Sequence, residues 1–379
     1  MPNNYDFEFG LGALPSPLDL RTYLFAAPSK EFDWELGFDI EIVLGYRKSV
    51  GSLQEFFGSR GAAGWGVERY KEIVDECKRK GIKPYQIPCN DQNGSGSCTG
   101  QSVAKYMEVL NFLETGVWVH ISAKDVYKWV SVGYGQGAYL SMAIARPIDY
   151  GVAAEILVPS YVNGRPASED HYLSEIIVTP EIEQSRIKFM GRSYNGIQNM
   201  GSWIDSFAWS MLYNFGCVFG TAVHSGGTWS SEFPRIDAIR GYHALFGGKA
   251  KLYNSVKHIS DLNSWGQDVG RRGWQNLGEE FFKADGNGVF EGWTMVDLAN
   301  EMNLRNGIIK SFMQIEGEAT LVIRDMAGKY YPIATPPELW KYVKAKYNLP
   351  EAGFATIPRA TVYANQGGIA EVDVLLKTM

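Results

Sequence analysis

Apolar residues recur at intervals of three and four positions in several stretches of the chain, which is the spacing of one face of an α-helix. The clearest stretch runs from Val67 to Lys80 and ends at Gly81 after three basic residues, which is typical of a helix end. A second stretch begins at Cys98, and a third follows Ser122, a residue type that caps helix N-termini. A fourth helix is predicted from the positions Ile204, Phe207, Ala208, Met211, Leu212 and Phe215.

Other stretches have the patterns of β-strands. Residues 38–44 alternate between apolar and polar positions and predict a short strand. The run from Gly216 to Val223 is almost continuously apolar and predicts a buried strand that contains Cys217. The segments around His243 and Asn263 are predicted as neighbouring strands, which would bring an imidazole and an amide side by side.

This order of elements predicts an α+β chain in three parts. Residues 76–290 would form the central domain, with a helical half followed by a β-rich half. Residues 1–75 would be an N-terminal extension. Residues 291–379 would form a small accessory α+β domain for binding or assembly. In that last part the patterns predict a strand at 319–324, a turn at 326–329, a helix at 337–347, and strands at 361–363 and 372–376.

Composition narrows the class of protein. Of the 379 residues, 45% are hydrophobic and 21% are charged, which is ordinary for a globular protein. The net charge of −6 and the lack of a basic cluster argue against nucleic acid as a partner, and no apolar run reaches the roughly 18–20 residues of a membrane span. No signal peptide is evident, so we expect synthesis in the cytoplasm, with another export route or a virion left open. The histidines have no metal-ligand spacing, so we expect no metal and no cofactor.

Candidate chemistry is concentrated in the loop from Asp91 to Ser102, which is rich in glycine and contains Cys98. Because the predicted helix begins at Cys98, its unpaired N–H groups and dipole should favour an anion there. A thiolate is an anion, so the pKa of this thiol is expected to be lowered. Gln92 lies upstream on the same loop, where its side-chain amide could point back at the sulfur.

A histidine and an asparagine follow Cys98 along the chain, and their order indicates a function. His243 lies in the run Gly-Tyr-His-Ala, and Asn263 begins the run Asn-Ser-Trp-Gly. The ordered set of Gln92, Cys98, His243 and Asn263 resembles the papain-like cysteine peptidases, in which His and Asn follow the Cys by about 130–150 residues. The run Gly-Ser-Cys-Thr that ends at Thr99 is most similar to the bacterial and viral branch of that family. The resemblance covers roughly residues 86–282, with Val269 standing where the family usually has an aromatic residue.

The resemblance implies a two-lobed fold, in which a helical lobe carries the Cys and a β-barrel-like lobe carries the His and the Asn. It implies that Cys98 attacks a peptide carbonyl, that His243 exchanges protons with it, and that Asn263 orients the imidazole. Gln92 would stabilise the oxyanion.

The same resemblance implies three substrate-binding positions. Gly137 and Ala138 would form a wall that holds an extended protein or peptide substrate by backbone hydrogen bonds. Trp265 would cover the bond between the imidazole and the amide and keep water away from it. The resemblance also makes an inhibitory pro-region the alternative for residues 1–75. The family's helical pro-region motif is not recognisable there, which favours an extension that stays attached.

Two other functions remain open beside a cysteine endopeptidase. One is a catalytically idle scaffold of the same fold for binding or assembly, and the other is a virus-encoded cell-wall peptide hydrolase. Taken singly, Cys98, His243 and Asn263 could each be structural residues; together, in this order, they favour the enzyme. The chain has Ser95 where secreted relatives have a disulfide cysteine, which favours a reducing compartment, although a bridge between Cys77 and Cys89 stays open.

Overall fold

The computed structural model describes residues 11–16, 24–25, 27–28, 30–59, 61, 64–191, 193–283, 287–296, 309–315, 321–325, 330–333 and 356–357. The chain divides into two compact units. The first comprises Met1–Arg60 and Gly64–Val296, and the second comprises Gly61–Ala63 and Asp297–Met379.

The helices of the described residues all belong to the first unit. No helix among them is long and apolar enough to cross a membrane. In chain order they are α1 (Ile40–Ser49), α2 (Leu53–Phe57), α3 (Val67–Lys80), α4 (Cys98–Thr115), α5 (Ala123–Val130), α6 (Leu140–Asp149), α7 (Glu169–Leu173), α8 (Pro180–Lys188) and α9 (Trp203–Asn214), with a 3₁₀ helix at Glu279–Phe282.

The strands of the described residues occur in both units. In the first unit they are β1 (Ala13–Leu14), β2 (Leu24–Phe25), β3 (Phe38–Asp39), β4 (Ser131–Gly133), β5 (Gly137–Tyr139), β6 (Tyr161–Val162), β7 (Arg165–Pro166), β8 (Ser193–Ile197), β9 (Cys217–His224), β10 (Ile239–Tyr253), β11 (Val256–Leu262), β12 (Trp274–Gly278) and β13 (Val289–Val296). In the second unit they are β14 (Ile309–Ile315), β15 (Leu321–Asp325), β16 (Tyr330–Ile333) and β17 (Thr356–Ile357).

The main sheet of the first unit has the order β12-β11-β10-β9-β13-β8-β2, and β3 also pairs with β10. The long strand β10 runs antiparallel to both β9 and β11, with a β-bulge between Gly247 and Lys249. A bulge bends its strand and increases the local twist, and here β3 pairs with β10 directly beyond the bulge. The sheet therefore places His243, in the middle of β10, close to Asn263, which directly follows β11.

Helix α4 is the central helix of the first unit, because it is buried from Cys98 to Leu113. Its C-terminal carbonyl groups are satisfied by a buried cation: Arg47 donates from Nε to the carbonyl of Leu113 at 2.6 Å and from Nη2 to that of Glu114 at 3.0 Å. Gly116 follows in the left-handed conformation with φ 75°, which glycine adopts readily. The helix is thus fixed at the end opposite Cys98.

Several sequence predictions are confirmed by these elements. α3 spans Val67–Lys80 as predicted, α5 follows the cap Ser122, whose hydroxyl accepts the N–H of Asp125 at 2.9 Å, and α9 covers the predicted apolar stripe. β9 covers the predicted buried strand, and Cys217 is fully buried within it. The segments around His243 and Asn263 belong to paired strands, as expected.

The prediction of a strand over residues 38–44 is wrong beyond its first two positions. Only Phe38 and Asp39 form a strand, and helix α1 starts at Ile40. The Asp39 side chain accepts the N–H of Glu41 at 2.9 Å, which caps the helix. The apolar residues Ile40, Val43 and Leu44 then form one buried helical face.

Residues 31–59 and 64–80 belong to the first unit and contact its main sheet. The N–H of Asp39 on β3 donates to the hydroxyl oxygen of Tyr70 on α3 at 2.8 Å. Lys249 of β10 forms an ion pair with Glu41 at 2.6 Å. These contacts join the segment to the main sheet; the boundary at residues 75 and 76 stays a prediction.

The described part of the second unit is a four-stranded sheet with the order β16-β15-β14-β17. The predicted strand at 319–324 is confirmed in its main part by β15. The turn predicted at 326–329, the helix at 337–347 and the strands at 361–363 and 372–376 lie outside the described residues.

Candidate active site

Cys98 lies at the first position of α4, where the preceding loop turns into the helix. The loop turns at Asn93 and Gly94, which have φ values of 49° and 72°. The Cys98 side chain is fully buried, and backbone N–H groups of four residues lie toward its sulfur: those of Ala244, Gly12, Thr99 and Cys98 itself. The sulfur therefore lies among hydrogen-bond donors, as expected for a helix N-terminus.

His243 is oriented by Asn263. Nε2 of His243 lies 3.0 Å from Oδ1 of Asn263, and because an amide oxygen only accepts, Nε2 is the donor. Asn263 in turn donates from Nδ2 to Oε1 of Gln275 on β12 at 2.5 Å. Gln275 is fixed by donating from Nε2 to the carbonyl groups of Trp229 and Ser231. The amide of Asn263 is thus held with its oxygen toward the imidazole.

The other imidazole nitrogen of His243, Nδ1, can accept a proton. Nδ1 of His243 is buried and has no hydrogen-bond partner among the described residues. With Nε2 protonated, Nδ1 of the neutral ring carries the lone pair. Ala244, the next residue on β10, directs its N–H at the sulfur of Cys98, so the backbone of this strand passes directly beside the thiol.

Trp265 packs on the imidazole of His243. The ring centroids are 4.4 Å apart with an angle of 32° between the planes, and Trp265 is 7% exposed. A hydrogen bond that water cannot reach is stronger than the same bond in solvent. The position of Trp265 therefore protects the contact between His243 and Asn263.

Gln92 is fully buried on the loop that leads to Cys98. Its Oε1 accepts the hydroxyl of Ser264 at 2.6 Å, and its Nε2 donates to the carbonyl of Ser95 at 2.6 Å. These two contacts fix the orientation of the amide, with its donor side toward the Cys98 loop. Ser264 was not singled out from the sequence, although it directly follows Asn263.

Gly137 and Ala138 belong to the short strand β5, and this strand binds an extended segment of the same chain. β1 pairs with β5 in parallel, with Ala13 opposite Ala138, and the N–H of Ala138 donates to the carbonyl of Gly12 at 2.7 Å. A Cβ atom on Gly12 would lie 1.9 Å from the carbonyl oxygen of Gly96, and one on Gly137 would lie 1.8 Å from that of Gly12. Only glycine permits this close approach of three backbone segments.

The pKa values of the two central groups differ from the sequence expectation. Burial raises the pKa of the Cys98 thiol to about 11, against the opposing effect of the four N–H groups. Burial also lowers the pKa of His243 to about 4, although the hydrogen bond to Asn263 acts in the opposite direction. The expectation of a lowered thiol pKa is wrong for this arrangement, because the loss of hydration outweighs the helix N-terminus. With these pKa values both groups are neutral at pH 7.

The predicted residues lie on three segments: Gln92 and Cys98 on one loop, His243 on β10, and Asn263 directly after β11. His243 contacts Asn263, Gln92 contacts Ser264, and the N–H of Ala244 lies toward the Cys98 sulfur. Gly12, which lies against the sulfur, is a contact that sequence reasoning missed, because nothing in a short glycine-containing segment indicates where it packs.

All four cysteines are free, including Cys77 and Cys89. Within the described ranges no group of three His, Cys, Asp or Glu side chains could hold a metal ion.

Comparison with known proteins finds similar structures but no similar sequences. No protein-family model matches the sequence, and no curated protein sequence matches it. Among solved structures, the chain is similar to xylellain, a cysteine protease from Xylella fastidiosa, with 15% identity, a TM-score of 0.54, and coverage of 76% of this chain and 97% of that one. A procathepsin B from Trypanosoma congolense matches with 15% identity and a TM-score of 0.47, over 74% of this chain and 86% of that one.

This likeness, together with the helices and sheets described above, shows an α+β two-lobed papain-like fold. The fold class predicted from the sequence is therefore confirmed. The narrower assignment to the branch with Gly-Ser-Cys-Thr stays a prediction.

Proposed function

We propose that the chain is a cysteine endopeptidase that hydrolyses peptide bonds through Cys98, His243 and Asn263. The observation that carries the proposal is the hydrogen bond of 3.0 Å between Nε2 of His243 and Oδ1 of Asn263. It lies beside the thiol, because Ala244, the residue after His243 on β10, directs its N–H at the Cys98 sulfur. The unoccupied Nδ1 of His243 supports the same assignment, because it leaves one imidazole nitrogen to receive the thiol proton.

The proposed reaction proceeds through a thioester. The Cys98 sulfur attacks the peptide carbonyl carbon while its proton passes to Nδ1 of His243. The resulting oxyanion accepts hydrogen bonds from the Cys98 N–H and the Gln92 amide. The C–N bond then breaks and the leaving amine takes the proton from His243. Water, deprotonated by His243, attacks the thioester and releases the acid and the free thiol.

We further propose that the described state is a latent form, in which β1 occupies the substrate position. Gly12 turns its N–H to the sulfur and its carbonyl to Ala138. Gly12 therefore presents a donor to the thiol, and its carbonyl, the group that a thiolate could attack, is bound to the wall. On this proposal β1 must leave the cleft before a substrate can enter, whether the N-terminal residues are removed or stay attached.

The test uses the full chain and a variant that opens the cleft. Gly12→Leu would place a side chain where even Cβ meets Gly96, so β1 should be displaced. Pro15→Leu is the matched control, because Pro15 is exposed on the same segment. Each protein is treated with a peptidyl epoxide, and intact mass and peptide mapping locate the adduct.

We expect one adduct on Cys98 in the Gly12→Leu protein, with hydrolysis of casein, and neither in the double variant that also carries Cys98→Ala. Pro15→Leu should behave like the parent chain. An opened protein that forms no adduct and cleaves no substrate would refute the proposal in favour of an idle scaffold. Cleavage of purified murein peptides but not of casein would identify a cell-wall hydrolase instead.

A further inference from the structure

Glu169, the first residue of α7, joins three separate parts of the helical lobe. Its Oε2 accepts the N–H of Gly96 at 2.7 Å, and its Oε1 accepts the N–H of Gly135 at 3.1 Å and the hydroxyl of Tyr127 at 2.8 Å. The residue is only 8% exposed. No cation lies within ion-pair distance of it among the residues that the structure describes. Its charge is thus satisfied by these three donors.

Two of the donors lie beside the proposed chemistry. Gly96 is two positions before Cys98, on the loop that carries the nucleophile. Gly135 is at the tip of the β4–β5 hairpin, two positions before Gly137, where the wall begins. The two backbone segments are in contact, because a Cβ on Gly96 would lie 3.3 Å from the Gly137 nitrogen. One carboxylate therefore links the nucleophile loop to the wall.

The link through Glu169 affects the distance between the substrate-binding wall and the Cys98 sulfur. The distance between the wall and the sulfur decides whether a bound peptide presents its carbonyl at attack distance. All four cysteines of the chain are free, so no disulfide fixes this distance. Hydrogen bonds from N–H groups to a buried carboxylate are strong and directional, and they do not depend on redox conditions.

We propose that Glu169 is a positioning residue that sets the spacing between the Cys98 loop and the substrate-binding wall. The proposal rests on the peptidase function proposed above. Glu169→Gln tests it, because an amide has one acceptor atom and one NH₂ group. Whichever way the amide turns, either Gly96 or Gly135 then faces a donor in place of an acceptor. Tyr127→Phe is the matched control, since it removes one hydrogen bond to the same carboxylate and leaves both backbone contacts.

The first measurement needs no enzyme activity. Amide hydrogen exchange is followed in the full chain, in peptides covering residues 91–97 and 133–139. In Glu169→Gln, exchange in at least one of these segments should be about tenfold faster than in the parent, because a charge-assisted hydrogen bond is lost. Tyr127→Phe should leave both segments unchanged. Unchanged exchange in Glu169→Gln, or equal acceleration in the control, would overturn the proposal.

The second measurement uses the Gly12→Leu background and a fluorogenic peptide. The kcat of the Glu169→Gln protein should fall about tenfold, because a peptide bound to a displaced wall no longer presents its carbonyl at attack distance, while KM changes less than about threefold. A lowered melting temperature with kcat unchanged would mean a purely structural role. If Glu169→Gln fails to fold, Glu169→Asp replaces it, since its shorter side chain keeps the charge but cannot reach both amides.

The two proposals fail in different ways. If no variant hydrolyses peptides but exchange accelerates as expected, the link by Glu169 stands and the peptidase proposal fails. If the opened protein hydrolyses peptides and exchange does not respond to Glu169→Gln, the link alone fails.

Discussion

Asp261 gives a prediction about stability that follows from its position in the sheet. It lies on β11, opposite Gly247 of β10 and Gln275 of β12, and is fully buried. Neither of its carboxyl oxygens has a hydrogen-bond partner on another described residue, and only the N–H of Asp261 itself opposes the effect of burial. Burial raises the pKa of Asp261 well above its ordinary value. The folded chain therefore keeps a proton that the unfolded chain releases at about pH 3.9.

The sign of the effect follows from proton binding. Between the unfolded and the folded pKa the folded state binds more protons, so the free energy of unfolding falls as pH rises. The slope is about 1.4 kcal/mol per pH unit for one group. Asp261→Asn has nearly the same shape and does not titrate. The variant should gain stability relative to the parent by about 1.4 kcal/mol per pH unit above pH 4, until the folded pKa is reached.

The assay is urea unfolding of both full-length proteins at pH 4, 5, 6 and 7, compared as the difference in the free energy of unfolding. Asp75→Asn, which removes an exposed carboxylate on α3, should keep a constant difference from the parent. A difference between Asp261→Asn and the parent that does not change from pH 4 to pH 7 would refute the reasoning, because Asp261 would then be ionised in the folded chain.

Two further predictions concern the proposed site. Asn263→Ala in the Gly12→Leu background should lower kcat by up to about a hundredfold without abolishing turnover, because Asn263 orients His243 and forms no bond to substrate. A loss of activity as complete as in Cys98→Ala, in a variant that folds equally well, would contradict this role. Alkylation of Cys98 in the closed chain should accelerate about tenfold per pH unit from pH 7 to pH 10, since burial raises the pKa of this thiol to about 11. In the Gly12→Leu protein the rate should instead level off near neutral pH, and identical profiles for the two proteins would show that β1 does not control the thiol.

The sequence by itself determined the elements whose information is local. The apolar spacing within Val67–Lys80 and within α9 is enough to specify a helix, because residues three and four apart share a face whatever the helix packs against. The order of Cys98, His243 and Asn263 likewise indicated one site before any contact was known. The strand prediction for residues 38–44 is wrong because Ile40, Val43 and Leu44 also have helical spacing, and the cap formed by Asp39 decides in favour of the helix.

Tertiary structure alone decided what surrounds the thiol. β1 pairs with β5 across more than a hundred residues of chain, and a two-residue strand has no periodicity that could indicate its partner. Glu169 reaches Gly96 and Gly135 for the same reason, since a single carboxylate in a five-residue helix carries no local signal. The raised pKa of Cys98 is likewise a consequence of burial by segments distant in sequence, whereas the helix N-terminus that opposes it is local.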